Sequence, residues 1–147
     1  MITEENKNLW DFDVEQYYRI ITTNGNIKKN GEAVMGKGIA LQAKERYPEL
    51  PTLLAYHIKT CGNTIGISKE HKIITFPTKN NYWEKSSYEL IKESCHDLFI
   101  LCIQWNIEKI VMPMVGCSNG GLKWDEVKKI IYKKLDSDLF DVTIARI

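Results

Sequence analysis

The chain enters its first predicted helix through Gly31-Glu-Ala-Val-Met-Gly-Lys-Gly-Ile-Ala-Leu-Gln-Ala-Lys44, a glycine-rich turn followed by a helical pattern. Residues 31–37 match the G-x-x-x-x-G-K part of a P-loop, but position 38 is Gly where that motif requires Ser or Thr. The missing hydroxyl would hold Mg²⁺ beside a nucleoside triphosphate. Gly36 and Gly38 still let the backbone approach a phosphate, and a helix that starts near Ile39 directs free N–H groups at an anion. The stretch therefore predicts a metal-free diphosphate site.

A second glycine loop, Gly116-Cys-Ser-Asn-Gly-Gly121, lies between an apolar run and a helical pattern that begins at Trp124. Three glycines in six positions leave a run of backbone N–H groups uncovered, which suits phosphate and ribose oxygens. A flexible strand-to-helix connection explains the same residues equally well when the loop is considered alone. The first loop favours phosphate binding, because both loops fall at one edge of the predicted sheet.

That sheet is predicted from segments that alternate between strand-like and helical periodicity. Strands are predicted at residues 17–23, 64–67, 72–76, 108–114 and 140–147, with the second and third forming a hairpin. Helices are predicted at 39–47, 51–60 and 124–135, and a further long helix is expected to open with a capping box of Ser86 and Glu89. The alternation predicts a three-layer α/β domain with a mixed, largely parallel sheet. Ligands bind such sheets beyond the carboxyl ends of the strands, where segments 24–38, 78–83 and 116–121 lie.

Composition narrows the class of protein. The length of 147 residues fits one domain covering residues 1–147. The net charge of +1 comes from interspersed acidic and basic residues, which disfavours an extended polyanion-binding face but is compatible with a local basic patch. No apolar run approaches the roughly 20 residues of a membrane span, and the polar N-terminus does not resemble a signal peptide. Four cysteines without a C-x-x-C pair and three scattered histidines indicate a reduced, cytoplasmic protein without a metal site.

Three polar residues could carry chemistry, and each also has an ordinary structural explanation. Lys79 directly follows a predicted strand at the loop edge, where a lysine can act as a nucleophile or face an anion, although most lysines are solvated surface charges. Asn24 could bind a ribose hydroxyl or adopt the left-handed backbone of an Asn-Gly turn. Asp11 could accept a hydrogen bond from a base or lie on the surface. The tryptophans at 83, 105 and 124 are expected to pack inside rather than stack on bases.

Taken together, these segments resemble the macrodomain family, which binds ADP-ribose in a three-layer α/β/α fold. The resemblance runs in order from about Leu9 to the C-terminus, and it is closest to the branch that contains the glutamate-linked ADP-ribose hydrolase and the antitoxins that remove ADP-ribose from DNA. It is carried by Asn-Leu-Trp-Asp11, Ile20-Ile-Thr-Thr-Asn24, Val34-Met-Gly-Lys-Gly-Ile-Ala40, Phe76-Pro-Thr-Lys79 and Met114-Val-Gly-Cys-Ser-Asn-Gly-Gly-Leu-Lys-Trp124.

The resemblance implies a role for each candidate. Lys79 takes the place of the catalytic lysine, Asp11 that of the residue at the adenine, and Asn24 that of the residue that orients the distal ribose. The implied ADP-ribose contacts are Asp11, Phe12, Asn24, Met35, Gly36, Lys37, Gly38, Ile39, Thr78, Gly116, Cys117, Ser118, Asn119, Gly120, Gly121 and Leu122. No cofactor is implied, and the expected partner of a monomeric chain is ADP-ribose or an ADP-ribosylated DNA or protein, with no membrane.

Two departures from the branch matter. The protein-directed hydrolase carries a catalytic Asp in its second loop. This chain has Gly120 at that position, and the DNA-directed antitoxins also have glycine there, so a lysine–aspartate pair is not expected. The stretch between Asn24 and Met35 is longer than expected in those antitoxins, and it borders the distal ribose. The resemblance implies hydrolysis of the glycosidic link between ADP-ribose and a nucleobase or an acidic side chain. The alternatives are a non-catalytic ADP-ribose reader and a phosphatase acting on ADP-ribose 1″-phosphate.

Overall fold

A computed structural model describes residues 1–147 and contains one six-stranded sheet. The strands are β1 (Ile2–Glu5), β2 (Tyr18–Thr23), β3 (Gly66–Ser68), β4 (Ile73–Pro77), β5 (Lys109–Met112) and β6 (Asp141–Ala145). Their order across the sheet is β1-β6-β5-β2-β4-β3. Every neighbouring pair is parallel except β3 and β4, which form the antiparallel hairpin expected from the sequence. The carboxyl ends of the five parallel strands therefore share one edge.

Helices cover both faces of the sheet. They are α1 (Gly38–Arg46), α2 (Leu50–Cys61), α3 (Tyr88–Gln104) and α4 (Trp124–Leu135), with a short 3₁₀ helix at Leu9–Asp11. One apolar cluster joins α3 and α4 to the sheet, and a second joins α1, α2 and the 3₁₀ segment to its other face. The three-layer α/β/α fold predicted from the sequence is thus confirmed. No helix is both long enough and apolar enough to cross a membrane.

Most predicted elements form within about two residues of their predicted bounds, and α4 has the bounds given by its apolar spacing. The missed element is β1, an edge strand that pairs with β6 from Ile2↔Val142 onward. Its four residues alternate half-buried and exposed, with two glutamates among them, so the segment resembled a polar terminus. Strand β5 is shorter than predicted, because it ends before Pro113.

The predicted capping box of α3 is wrong. Ser87, not Ser86, caps the helix, and its Oγ accepts a hydrogen bond from the backbone N–H of Leu90 at 3.2 Å. Ser86 is instead buried, and its backbone N–H donates to the carbonyl of Gly120 at 2.9 Å. Adjacent serines give the same local signal, so only the packing against the loop around Gly120 decides which of them starts the helix.

Replacing the capping serine tests this assignment. Ser87→Ala removes the acceptor for an N–H group in the first turn of α3 and is expected to lower the free energy of unfolding by about 1 kcal/mol. That loss corresponds to a melting temperature about 2–4 °C lower for a domain of this size. Ser86→Ala is the matched control, since the Ser86 hydroxyl caps nothing. Thermal unfolding of both variants should show the larger decrease for Ser87→Ala, and the reverse order would restore the capping box.

Candidate functional site

Loops that follow the carboxyl ends of the parallel strands enclose a cavity of about 700 Å³. Its wall includes residues from all three segments that the sequence placed at this edge. A volume of this size is typical of small-ligand sites, which usually span about 300–1,000 Å³. The wall contains no Asp, Glu or His, and no three His, Cys, Asp or Glu side chains anywhere in the chain are grouped as metal ligands.

The first glycine loop leads into α1, and its last backbone N–H groups have no hydrogen-bond acceptor in the protein. Helix α1 begins at Gly38, and its N-cap residue, Lys37, makes no side-chain capping hydrogen bond. The backbone N–H groups of residues 36–40 donate to no protein acceptor, and the first bond at this end runs from Leu41 N to Lys37 O. Gly38 has a φ of +56°, a conformation that few residues other than glycine adopt. The loop therefore presents a run of free donors at the positive end of a helix dipole.

The second glycine loop presents a similar set. Its turns are closed by hydrogen bonds from Leu122 N to Gly116 O and from Gly121 N to Ser118 O, at 2.9 and 3.3 Å. The backbone N–H groups of residues 118–120 donate to no protein acceptor. The two glycine loops also touch, since a Cβ on Gly38 would lie 2.9 Å from the Asn119 side-chain amide nitrogen. Free donors from both loops thus surround one space.

Lys79 lies in the cavity wall and is half-buried. Its Nζ donates to the carbonyl of Glu84 at 3.3 Å, and it forms no ion pair with a carboxylate. The surrounding backbone is held by hydrogen bonds from Asn63 Nδ2 to the Lys79 carbonyl at 3.1 Å and from Gly25 N to the Asn80 carbonyl at 2.9 Å. The lysine therefore has a fixed backbone and an ammonium group bound only by a neutral carbonyl.

Asn24 also lies in the wall, but part of its side-chain amide is already hydrogen-bonded to the backbone of the following loop. Its Oδ1 accepts from Asn26 N at 3.0 Å, and its Nδ2 donates to the Val34 carbonyl at 3.2 Å. Neither Asn24 nor Gly25 has a positive φ, so the left-handed Asn-Gly turn considered for the sequence does not form. Gly25 is needed for space instead, because a Cβ there would lie 3.0 Å from the Asn80 carbonyl oxygen. One amide hydrogen of Asn24 stays free for a ligand.

Two of the implied ADP-ribose contacts, Asp11 at the adenine and its neighbour Phe12, lie outside the cavity wall. Asp11 is exposed in the 3₁₀ segment, and Phe12 is buried against Tyr17. The segment is held from below by buried Arg19, which donates to the carbonyls of Leu9, Trp10 and Phe12. Burial lowers the pKa of this guanidinium from its ordinary value. The hydrogen bond from Trp10 Nε1 to Gln42 Oε1, at 2.7 Å, links the segment to α1 and so to the cavity.

The remaining predicted site residues divide between the wall and its surroundings. Those in the wall are Met35, Gly36, Lys37, Gly38, Ile39, Thr78, Gly116, Cys117, Ser118, Asn119 and Gly120. Gly121 and Leu122 follow the second loop without lining the cavity. Burial raises the pKa of the Cys117 thiol, so this side chain is a poor source of thiolate.

The Macro domain family matches residues 28–131, a range that contains both glycine loops and Lys79. The chain belongs to the macrodomain family. The macrodomain of Thermus aquaticus DarG has the same fold with a TM-score of 0.81 and 27% identity, and the alignment covers 100% of this chain and 99% of that one.

Two curated relatives of this macrodomain are named "DNA ADP-ribosyl glycohydrolase". The protein from Mycobacterium tuberculosis is 37% identical over 68% of this chain, and that from Thermus aquaticus is 32% identical over 88% of it. The matches cover 31% and 36% of those proteins, so the chain spans about a third of the length of these relatives.

Sequence reasoning missed several residues of the macrodomain cavity. Ala145, Arg146 and Ile147 follow β6, and the parallel pairing of β6 would have indicated them. Glu4 holds Arg146 at 3.2 Å, and the pKa of this carboxyl lies below its ordinary value, chiefly because Lys128 hydrogen-bonds to it. The buried Thr23 Oγ1 has no hydrogen-bond partner. Tyr82 lies in the segment 78–83 predicted at this edge but was not named as a candidate, and Ser86 had no local signal that marked it as a cavity residue.

The expectation that the tryptophans pack inside is wrong for Trp83 and Trp105. Trp124 packs against the core cluster, but Trp83 is 67% exposed and Trp105 is 44% exposed. Trp83 belongs to the loop that follows Lys79, directly after the cavity residue Tyr82. It is therefore a surface residue beside the candidate site.

Gly120 shows why this macrodomain has no acid in its second loop. A Cβ at that position would overlap Ser86 Oγ and would lie 2.6 Å from the carbonyl oxygen of Gly116. The backbone oxygen cannot rotate away as a side chain could. Ser86 thus occupies the space into which a side chain at position 120 would have to project, and any residue larger than glycine displaces the loop.

Gly120→Ala is therefore expected to destabilise the fold. Overpacking of this kind typically costs about 1–3 kcal/mol in the free energy of unfolding. Gly36→Ala is the matched control, because Gly36 has no positive φ and a Cβ there would meet nothing within 4 Å. Denaturant unfolding of the two variants checks the difference. Equal stability of Gly120→Ala and the wild type would show that the loop accommodates a side chain at position 120.

Proposed function

We propose that this macrodomain binds ADP-ribose and hydrolyses the bond that links it to an acceptor. The observation that carries the proposal is the pair of touching glycine loops with free N–H groups at residues 36–40 and 118–120. Two phosphates joined by one bridging oxygen can be bound by two adjacent donor sets, one of them at a helix N-terminus. Asn24 is assigned to the distal ribose, and Asp11, with Phe12, to the adenine.

Lys79 is the proposed catalytic residue. Among the basic and thiol side chains of the wall, Lys37 lies in the first glycine loop, Arg146 is paired with Glu4, and burial disfavours the Cys117 thiolate. Lys79 belongs to neither glycine loop, and it lies beside Asn24 across the paired ends of β2 and β4. This position supports a role for Lys79 at the ribose that bears the acceptor, with the diphosphate bound by the two loops.

Two routes use this lysine, and both end with water adding to the anomeric carbon. In the first route the ammonium supports the departing acceptor, which leaves with the electron pair of its bond and takes up a proton. In the second route the neutral amine adds to the anomeric carbon as the ring oxygen leaves with the electron pair of its bond and takes up one proton of the amine. The acceptor then departs with its electron pair and takes up the second proton, which leaves a Schiff base. Water hydrolyses the Schiff base to the aldehyde, which returns the amine, and the sugar ring closes again.

DNA is the acceptor we propose, because the curated relatives are named for it. We also propose that the chain is a cytoplasmic monomer formed by one macrodomain over residues 1–147. Its four free cysteines fit a reducing compartment, since burial raises the pKa of both Cys95 and Cys102 to about 12 and leaves these thiols unreactive. Sedimentation of the purified chain checks the monomeric state.

The first prediction from this proposal concerns binding. ADP-ribose is expected to bind in EDTA with a Kd on the order of micromolar, because backbone donors rather than a metal hold the diphosphate. Gly36→Val is expected to weaken binding about tenfold or more while leaving the melting temperature unchanged, since its side chain would project from a cavity-lining position into open space. Calorimetry and thermal unfolding measure the two effects.

The matched control for Gly36→Val is Gly62→Val, at a glycine outside the cavity that also has open space. Its φ of +83° makes it less stable, yet it should bind ADP-ribose normally below its melting temperature. Preference for ATP with Mg²⁺ over ADP-ribose would return the chain to the P-loop interpretation and reject the diphosphate site.

The second prediction concerns catalysis. Lys79→Ala is expected to keep ADP-ribose affinity, because the loop N–H groups carry the diphosphate, and to slow single-turnover release of ADP-ribose from modified DNA. Loss of a preorganised charge or nucleophile typically lowers the rate about 10²–10³-fold. Lys59→Ala, at an exposed lysine of α2, is the matched control and should release ADP-ribose at the wild-type rate.

Further variants separate the routes and the alternatives. Lys79→Arg keeps the charge but cannot form a Schiff base, so retained activity selects the first route. A product trapped on Lys79 by borohydride selects the second. Equal rates for wild type and Lys79→Ala would remove the lysine from the mechanism. If the wild type released nothing from DNA, glutamyl ester or ADP-ribose 1″-phosphate, the protein would be a reader.

A further inference from the structure

Two exposed aromatic side chains lie side by side at the rim of the cavity. Tyr82 is 54% exposed and Trp83 is 67% exposed, and their rings meet edge to face with centroids 5.1 Å apart. Tyr82 also lines the cavity that contains Lys79. Adjacent exposed aromatics are uncommon on a protein surface and usually mark a contact site. The pair lies where an acceptor attached to a ligand in the cavity would emerge.

The backbone that carries this pair is fixed by side-chain amides. Tyr82 N donates to Asn26 Oδ1 at 2.6 Å, and Asn26 Nδ2 donates to Asn81 Oδ1 at 3.0 Å. Asn81 donates from both its backbone and its side-chain nitrogen to Glu84 Oε1, each at 2.9 Å. The aromatic rings are therefore presented from a preorganised loop, which reduces the entropy cost of a contact.

The loop that carries the pair and the loops that adjoin the cavity are rich in lysine. Asn26 leads into a turn closed by a hydrogen bond from Lys28 N to Glu32 O at 2.8 Å, and the exposed Lys28 and Lys29 lie on this turn. Residues 24–38, 78–87 and 116–123 together contain six lysines and two glutamates, a net charge of +4 in a chain whose total is +1. The local basic patch that overall composition left open is thus found around the cavity.

Exposed aromatics among lysines are the usual arrangement for binding single-stranded nucleic acid, because bases stack on the rings and phosphates bind the cations. A base that is paired in a duplex has no free face for such stacking. An acidic peptide would match the lysines but offers no flat face to Trp83. The observations together favour a single strand over a peptide.

We propose that Tyr82 and Trp83 form a stacking platform for unpaired bases of a single DNA strand, next to the base that carries ADP-ribose. The proposal rests on the proposed function and specifies its substrate: a flexible single strand whose modified base enters the cavity toward Lys79. Lys28 and Lys29 bind the phosphates of that strand.

Substrates that carry ADP-ribose on different acceptors test the stacking platform. Trp83→Ala is expected to lower kcat/KM for release of ADP-ribose from a modified single-stranded oligonucleotide about tenfold or more, the usual effect of removing one stacked base. The affinity for free ADP-ribose and the release from a glutamyl-ADP-ribose peptide should stay within about twofold of wild type. Trp83→Phe should restore most of the oligonucleotide activity, because it keeps a ring that can stack.

Matched controls are available on the same chain. Trp105→Ala and Tyr56→Ala remove exposed aromatics that lie outside the cavity, and both should behave as wild type on every substrate. The slope of log K for oligonucleotide binding against log salt concentration measures how many phosphates the lysines neutralise. The double variant Lys28→Ala with Lys29→Ala should reduce the magnitude of this slope by about 0.7 for each phosphate that is no longer neutralised, whereas Trp83→Ala should leave the slope unchanged.

Three outcomes would overturn the platform. Unchanged oligonucleotide kcat/KM in both Trp83→Ala and Tyr82→Ala would show that no base stacks there. An equal loss for free ADP-ribose and all substrates would show a purely structural role. A loss confined to the peptide would assign the surface to a protein acceptor. A wild type that releases ADP-ribose from no acceptor would instead reject the proposed function.

Discussion

Parallel pairing of β6, β5, β2 and β4 is the constraint on which the site depends. It brings the carboxyl ends of these strands to one edge, so each following loop reaches the same space. The register Thr23↔Pro77 then makes Asn24 and Thr78 neighbours, and the ladder continues with a bond from Thr78 N to Thr23 O at 3.1 Å. Lys79 and Asn24 face one cavity because two buried strands are in register, although 54 residues separate them in the sequence.

Within that frame, glycine is required for different reasons at different positions. Gly38 and Gly116 have positive φ, and Gly120 has an ordinary backbone but no room beside Ser86. Gly36 meets neither constraint in the free protein. The first three positions are explained by folding, whereas Gly36 needs a ligand that approaches the backbone to explain it. Gly36, Lys37 and Gly38 are exposed to solvent, so their uncovered N–H groups cost little stability without a ligand.

Features encoded by local periodicity were predictable from the sequence, and those decided by tertiary packing were not. Helix α4 follows from the spacing of Val127, Ile131 and Leu135, and the two glycine loops at the cavity follow from glycine spacing. Strand β1 was missed because its glutamates mask a short alternation that only pairing with β6 stabilises. The Ser86 cap was misassigned because the space at Gly120 cannot be read from neighbouring residues. The exposure of Trp83 is a tertiary property of the same kind.

The chemistry of the cavity restricts the acceptors it can serve. Its wall has no carboxylate or imidazole, and the Lys79 ammonium is bound by the carbonyl of Glu84 rather than by an acid. No carboxylic acid or imidazolium side chain of the wall can therefore pass a proton to a departing group beside Lys79. General acid–base assistance is worth about 10²–10⁴-fold in rate, so an enzyme without it needs a leaving group that tolerates negative charge. Carboxylates and heterocyclic bases that delocalise the charge over carbonyl oxygens both meet this requirement, and alcohols do not. The missing acid at Gly120 therefore disfavours alcohol acceptors, and the stacking surface proposed at Trp83 would favour a nucleobase over a carboxylate.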